Sequence, residues 1–376
     1  MSASDVRQET PPDDVRTEPA GSVLDLARPD LRVLRPYVPG AYEPGYVRLN
    51  ANESPWRAPG DTTERGLNVY PPPRPQALRD RLAAHYGARP RDLLVTRGSS
   101  EAIDVLIRGF CRAGRDKILI CPPTFDMYRV YATIQGADIV HVPLRRDAGF
   151  ALDTAAVLDA VDAATKIVFL CTPNNPTGHS VPRADVETIC AALAGKALVV
   201  IDEAYHEFAD ENHLDLQQRY DHVVLLRTLS KFVSLAGVRC GALIAAAEVV
   251  EFLGNVLPPY TFPTPSIELV LKALAADSLR VSQERIAVLK RERERLARAL
   301  LDVPQVLEVY PSAANFILVR ARDGRGFRDA AHRAGILVRT FADDALANCV
   351  RITVGRPEDN DRLLQAVAGA KELGDA

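Results

Sequence analysis

Three groups of reactive side chains stand at or near the ends of apolar runs in this chain: Asp202 in VVIDEAY (199–205), Ser230 and Lys231 in RTLSK (227–231), and Arg239 shortly beyond the lysine. A lysine amine can form an imine with a carbonyl, a carboxylate can hold a ring nitrogen protonated, and an arginine beside hydroxyls can grip a phosphate. TRGSSEAID (96–104) puts small residues, hydroxyls and free backbone N–H groups where a helical pattern begins, which makes a phosphate seat. Two further run ends supply Phe125 in ICPPTFDMYRVY (120–131) and Asn175 in CTPNNPTG (171–178). Taken singly, each feature has an ordinary explanation: an N-cap, a turn, a solvated lysine, a core aromatic.

Together they are parts that one ligand uses at once, pyridoxal phosphate. Gly98, Ser99, Ser100, Thr228, Ser230 and Arg239 would hold its phosphate, and Lys231 would form the imine with its aldehyde. Asp202 would pair with the ring nitrogen, although an isolated aspartate at a strand end can equally be a cap or an ion-pair partner. The side-chain amide of Asn175 and the hydroxyl of Tyr205 can donate to the ring's phenolic oxygen. Phe125 can stack on the ring face, and reads equally well as a core residue. No residue pattern points to a metal.

The elements that must carry these groups are apolar runs: 93–96, 117–121, 138–143, 166–171, 198–202, 222–228 and 239–245. Most are short and do not alternate, as strands buried on both faces read, and several are separated by stretches long enough for crossover helices. The expected fold is therefore α/β, with a mostly parallel seven-stranded sheet whose carboxyl ends carry the site. After about residue 270 the texture changes to a helical stretch, 284–301, followed by strand candidates at 315–320, 336–340 and 350–354. These predict a smaller α+β unit. The expected division is a tail over 1–22, a large cofactor-binding unit over 60–270, and a small unit built from 23–59 and 271–376.

The 376 residues carry 46 basic and 49 acidic side chains, a net charge of −3, and neither half has a basic excess. That balance argues against nucleic acid or an anionic membrane as the main partner. The longest uncharged stretch, from Phe252 onward, is broken by four prolines, which excludes a membrane-spanning helix. Six scattered cysteines without a Cys-x-x-Cys pair fit a reduced cytoplasmic setting. The first twenty residues are polar, acidic and Pro-containing, and read as a disordered tail.

With LNANESP (49–55), NVYPPPRPQAL (68–78), LAGVRCG (235–241), ANFILVR (314–320) and VRITVG (350–355) added, the sequence resembles the histidinol-phosphate aminotransferases from about residue 25 to 370. The resemblance implies the fold-type-I, aspartate-aminotransferase-like architecture and a transaminase acting on histidinol phosphate and 2-oxoglutarate. It makes Lys231 the imine lysine and proton shuttle, and Arg351 the grip on the substrate carboxylate. Tyr70 would reach the phosphate of the neighbouring subunit's cofactor, which implies a homodimer. Tyr37, Tyr260 and Arg339 become candidates for the substrate phosphate, and Asn52 joins the substrate residues. An aromatic amino-acid transaminase or a threonine-phosphate decarboxylase would share every cofactor residue, and a non-catalytic module is disfavoured by the retained Lys231. Two departures stand out. Phe232 follows the lysine where the family usually has alanine, and His206 follows Tyr205 where an apolar residue is usual.

Overall fold

The computed structural model describes residues 21–43 and 45–368. Apart from Gly21 and Ser22, the expected tail lies outside the described residues. Seven strands form the larger sheet: β1 (Leu93–Thr96), β2 (Lys117–Ile120), β3 (Asp138–His141), β4 (Thr165–Cys171), β5 (Leu198–Asp202), β6 (Val223–Thr228) and β7 (Gly241–Ile244), in the order β1-β7-β6-β5-β4-β2-β3. Side chains alternate between its two faces, and both faces are covered. In β5, Val199 and Ile201 join one apolar cluster while Leu198 and Val200 join the other; β4 and β6 divide in the same way. This double burial is why the runs look unalternating in sequence. Each such aliphatic side chain contributes roughly 1.5–3 kcal/mol relative to exposure, so the strand ends project from a stiff platform.

One strand runs against the rest. β6 and β7 are neighbours joined by residues 229–240, which contain no helix, so the chain returns antiparallel with Thr228 opposite Gly241. A parallel return would need a crossover. That connection carries Lys231 and Arg239. On its other side β7 pairs with β1, placing Gly241 opposite Thr96 as well. The ends of β1 and β6 therefore flank one glycine. A Cβ there would come within 2.8 Å of the Gly98 carbonyl carbon and 2.7 Å of the Arg227 oxygen, so only glycine allows this approach.

The smaller sheet has β8 (Val306–Val309), β9 (Phe316–Ala321), β10 (Arg339–Thr340) and β11 (Cys349–Thr353), all antiparallel, in the order β10-β11-β9-β8. The helix Ala276–Leu301 runs from one sheet to the other: Ile286 packs with the large-sheet core, Leu296 and Leu300 with the small-sheet core. Phe316 and Leu318 of β9 face the large-sheet cluster, while Ile317 and Val319 face the small one.

At the N-terminal end of the expected small unit, the contacts run to the large sheet. Val23 and Ala27 pack with Ile103, Leu106 and Phe252 on the large sheet's outer face, the Arg28 N–H donates to the Gly109 carbonyl at 3.0 Å, and Ser22 Oγ donates to Glu248 at 2.9 Å. Residues 23–28 thus attach to the larger unit, because Val23 and Ala27 find an apolar seat there. The expected edge at residue 270 falls inside the helix Thr264–Ala273, whose Val270 packs with the large-sheet core.

Candidate active site

The carboxyl ends of β1, β4, β5 and β6 bring most of the predicted cofactor residues together. Gly98 opens the helix Gly98–Phe110 with φ +74°, and a Cβ on it would lie 2.7 Å from Arg239 Nη2. This helix has no side-chain cap hydrogen bond at its start. Its first free N–H groups, at Gly98, Ser99 and Ser100, are open to an anion. Thr228 is buried and its hydroxyl donates to Ser230 Oγ at 2.9 Å; Arg239 Nη1 lies 3.5 Å from the same oxygen. Arg239 has no carboxylate partner among the described residues. A helix start, two hydroxyls and a guanidinium whose charge meets no carboxylate among the described residues fit a phosphate group.

Asp202 is 1% exposed and has no cationic partner among the described residues. Its Oδ2 accepts from Tyr128 Oη at 2.7 Å and its Oδ1 from the Ala204 N–H at 3.1 Å. Burial pushes its carboxyl up to about 6, against the lowering effect of those two hydrogen bonds. A buried carboxylate without a cation is costly, and a protonated ring nitrogen would supply one. Lys231 makes no hydrogen bond or ion pair among the described residues, and its Nζ lies 5.5 Å from the centre of the Tyr205 ring. Burial, then the positive charges of Arg351 and Arg239, lower its pKa and favour the neutral nucleophilic amine. The donor set therefore fits pyridoxal phosphate.

Tyr205 is buried, its hydroxyl held to the neutral form chiefly by burial, and its ring packs edge-on against Phe316 of the smaller sheet at 5.2 Å. Asn175 Oδ1 accepts a hydrogen bond from Arg351 Nη1 of β11. These contacts join the two sheets across the site. Arg351 lies 5.3 Å from the Phe316 ring centre and 6.0 Å from that of Phe341, and burial lowers its pKa. It has no carboxylate partner among the described residues. Arg339 stands directly opposite on β10, exposed and without an ion-pair partner among the described residues. Like charges facing each other across a strand pair are unfavourable unless an anion joins them.

Phe125 is half-buried and meets Tyr128 edge to face at 5.7 Å. Three predicted residues lie apart. Tyr70 stacks on Tyr260 at 4.8 Å and Tyr37 is 65% exposed; among the described residues no hydrogen bond, ion pair or ring contact joins any of the three to Lys231, Asp202 or Arg351. Asn52 is exposed, with φ 54°. Beside this tyrosine pair, Glu53 ties Arg48 at 3.2 Å and the Tyr70 N–H at 2.7 Å.

Sequence reasoning missed Tyr128, although it sits three residues beyond Phe125, in the first turn of the helix Met127–Gln135 and in a motif read for its aromatic. It also missed Asn174. Asn174 accepts from Thr124 at 2.8 Å and donates to the Pro123 carbonyl at 2.9 Å and to Thr177 at 2.8 Å, so it fixes the loop that carries Asn175. Of the two departures, Phe232 is buried and stacks on His85 at 5.7 Å. His206 Nδ1 lies 3.0 Å from the Glu203 carbonyl and 3.2 Å from Glu207 Oε2.

Among known proteins, the aminotransferase class I and II family profile matches residues 48–367. A histidinol-phosphate aminotransferase of Xanthomonas campestris pv. campestris (strain 8004) is 45% identical over 357 residues, covering 93% of this chain and 98% of its own. One from Xylella fastidiosa (strain 9a5c) is 45% identical over 349 residues, covering 91% and 95%. The solved histidinol-phosphate aminotransferase of Sinorhizobium meliloti in complex with pyridoxal-5'-phosphate superposes with a TM-score of 0.74 over 81% of this chain and 83% of its own, at 24% identity, a likeness of fold. No helix among the described residues is long and apolar enough to cross a membrane. With its fold, its unpaired lysine and these relatives, the chain belongs to the class I and II aminotransferases, in the branch of the histidinol-phosphate aminotransferases.

Proposed function

We propose that this chain is a pyridoxal 5'-phosphate-dependent transaminase of histidine biosynthesis. It moves the amino group of histidinol phosphate to 2-oxoglutarate, reversibly, yielding imidazole acetol phosphate and glutamate. The observation that carries the reading is the pair Arg351 and Arg339, two cations without a carboxylate partner among the described residues, facing each other across β11 and β10, with Arg351 close enough to depress the pKa of Lys231. Relatives 45% identical over nearly the whole chain support the same substrate.

Bound pyridoxal phosphate supplies an electron sink for the charge left when the α-proton departs. Asp202 keeps the ring nitrogen protonated, and Tyr128 holds the carboxylate in place through its hydroxyl. Lys231 would hold the cofactor through its aldehyde and, as a free amine, would carry the proton between the substrate α-carbon and the cofactor's C4' atom. Tyr205 and Asn175 donate to the phenolic oxygen. Gly98, Ser99, Ser100, Thr228, Ser230 and Arg239 hold the phosphate, and Phe125 covers the ring. Arg351 receives the carboxylate of 2-oxoglutarate and glutamate in a bidentate grip, and Arg339 the phosphate of histidinol phosphate.

The working enzyme in this reading is a cytoplasmic homodimer. Tyr37, Tyr70, Tyr260 and Asn52 serve the neighbouring subunit's site, which accounts for the exposure of Tyr37, Tyr70 and Asn52 and for the distance of the tyrosines from Lys231 in the protomer. Six cysteines, all free and buried, support a reducing compartment. The division into a large unit over 60–270 and a small unit built from 23–59 and 271–376, meeting at Tyr205 and Phe316, belongs to the same proposal, with residues 23–28 seated on the large sheet.

An amino-donor panel with 2-oxoglutarate tests the assignment. Histidinol phosphate should have the highest kcat/KM, well above that of histidinol or aromatic amino acids. A preference for phenylalanine or tyrosine would reassign the enzyme to aromatic transamination, and carbon dioxide release from threonine phosphate would reassign it to decarboxylation.

A further inference from the structure

Behind the strand ends that carry Asp202 and Lys231 lies a buried charged cluster that the steps above leave unused. Glu203 follows Asp202 and is 1% exposed; Arg227 precedes Thr228 and is 3% exposed. Arg227 Nε and Nη2 donate to Glu203 Oε2 at 2.9 and 2.7 Å, and Nη1 donates to the Tyr86 carbonyl at 3.2 Å. Glu203 Oε1 accepts from the His213 N–H at 2.8 Å and lies 3.0 Å from His213 Nδ1. The guanidinium also lies 5.3 Å from the centre of the Tyr86 ring. The neighbouring His85 stacks on Phe232, the residue after Lys231. Burial works to raise the Glu203 carboxyl, and the charge of Arg227 with the hydrogen bond to His213 holds it down at about 2.

A buried ion pair contributes little net stability compared with apolar packing of the same volume, so its position in the fold deserves a physical reason. Here the pair stitches β5 to β6 just where Asp202 leaves one strand and the Lys231 connection leaves the other, and the Glu203 N–H to Leu226 carbonyl bond at 2.9 Å continues the stitch in the main chain. We infer that Glu203 and Arg227 are positioning residues: they fix the separation between the carboxylate that serves the cofactor's ring nitrogen and the amine that serves its aldehyde. This rests on the roles proposed above for Asp202 and Lys231. The fold contains a control. Glu292 is also buried and ion-paired, to Arg295 at 2.8 Å, and accepts from Asn360 at 2.9 Å, but it sits on the helix Ala276–Leu301 against the smaller unit.

Glu203→Gln, Arg227→Lys and Glu292→Gln, each loaded with pyridoxal phosphate, are compared with the parent for melting temperature, cofactor dissociation constant and the pH at which the visible imine band titrates. Glu203→Gln should weaken cofactor binding roughly ten- to hundred-fold, the range expected from losing one or two charge-assisted hydrogen bonds, and shift the titration of the band. Arg227→Lys keeps the charge without the fork and should move both readouts the same way by less. Glu292→Gln should lower the melting temperature while leaving both readouts at the parent's values. If Glu203→Gln does not fold, Arg227→Lys against Glu292→Gln decides. Equal shifts in the control at equal loss of melting temperature, or parental readouts in Arg227→Lys and Glu203→Gln, overturn the inference alone. A parent without an imine band overturns the role of Lys231 and the inference with it.

Discussion

The carboxyl edge of the large sheet and the segment of residues 33–70 treat their side chains in opposite ways. At the edge, ionisable groups are withdrawn from solvent without charge partners among the described residues: buried Asp202 without a cation, half-buried Lys231 without an anion. In the segment, apolar and aromatic groups are left in the open, Leu49 at 89% and Trp56 at 78% exposure, with Val38, Val47 and Tyr70 alongside. A buried unpaired charge calls for a ligand, and an exposed cluster of large apolar side chains calls for a protein surface. The difference supports the proposal that a small molecule completes one region and a second copy of the chain covers the other.

The sharpest test of the first half of that contrast is Asp202→Asn. It keeps shape and the Tyr128 hydrogen bond while removing the charge, so transamination should fall roughly hundred-fold or more with little change in melting temperature. Parental turnover would place the ring partner elsewhere. The second half breaks if Leu49→Asp combined with Trp56→Asp stays dimeric by sedimentation; the expected result is a monomer with greatly reduced activity.

A smaller, selective effect is expected between the two regions. Arg339→Ala should lower kcat/KM for histidinol phosphate by about ten- to hundred-fold, and for an unphosphorylated aromatic donor far less, since a charge-assisted bond is worth about 1.5–3 kcal/mol. Equal losses on both donors would favour the aromatic transaminase alternative. The smallest effect concerns stability. Both Glu207 oxygens are buried without a hydrogen bond among the described residues, Oε2 lying 3.2 Å from His206 Nδ1, and burial pushes the carboxyl up to about 8. A carboxyl raised on folding binds its proton more tightly in the native state, so its contribution is complete below the ordinary carboxylate range and is lost as pH rises through about 8. Glu207→Gln should therefore melt a few degrees above the parent beyond that pH and no higher than it in acid, by thermal scans across pH. A constant offset would show that burial of Glu207 has no proton linkage.

Much of this was readable in the residues. β1 and β5 coincide with their apolar runs because burial on both faces leaves no polar position inside them. Where one face is wet the signal fades: β8 (Val306–Val309) escaped notice because Glu308 points out to pair with Arg320, and β10 shrank from 336–340 to Arg339–Thr340 at a sheet edge. Cofactor residues were legible because strand ends concentrate them in short motifs. Tyr128, Glu203 and Arg227 stood inside those same motifs unread, since their partners are brought up by the fold from distant sequence: Tyr128 meets Asp202 and Arg227 meets Tyr86 only after the sheet has formed. The attachment of residues 23–28 to the large sheet was invisible for a related reason, being decided by the seat that Ile103 and Phe252 offer rather than by any local pattern.

The central claim is that Lys231 is the group that holds the cofactor at the end of β6. Borohydride reduction of the protein loaded with pyridoxal phosphate, followed by peptide mass mapping, tests it directly. The account predicts a single pyridoxyl-phosphate adduct on the peptide containing Lys231, lost when the amino donor is added first. An adduct on another lysine, or none at all, would contradict it.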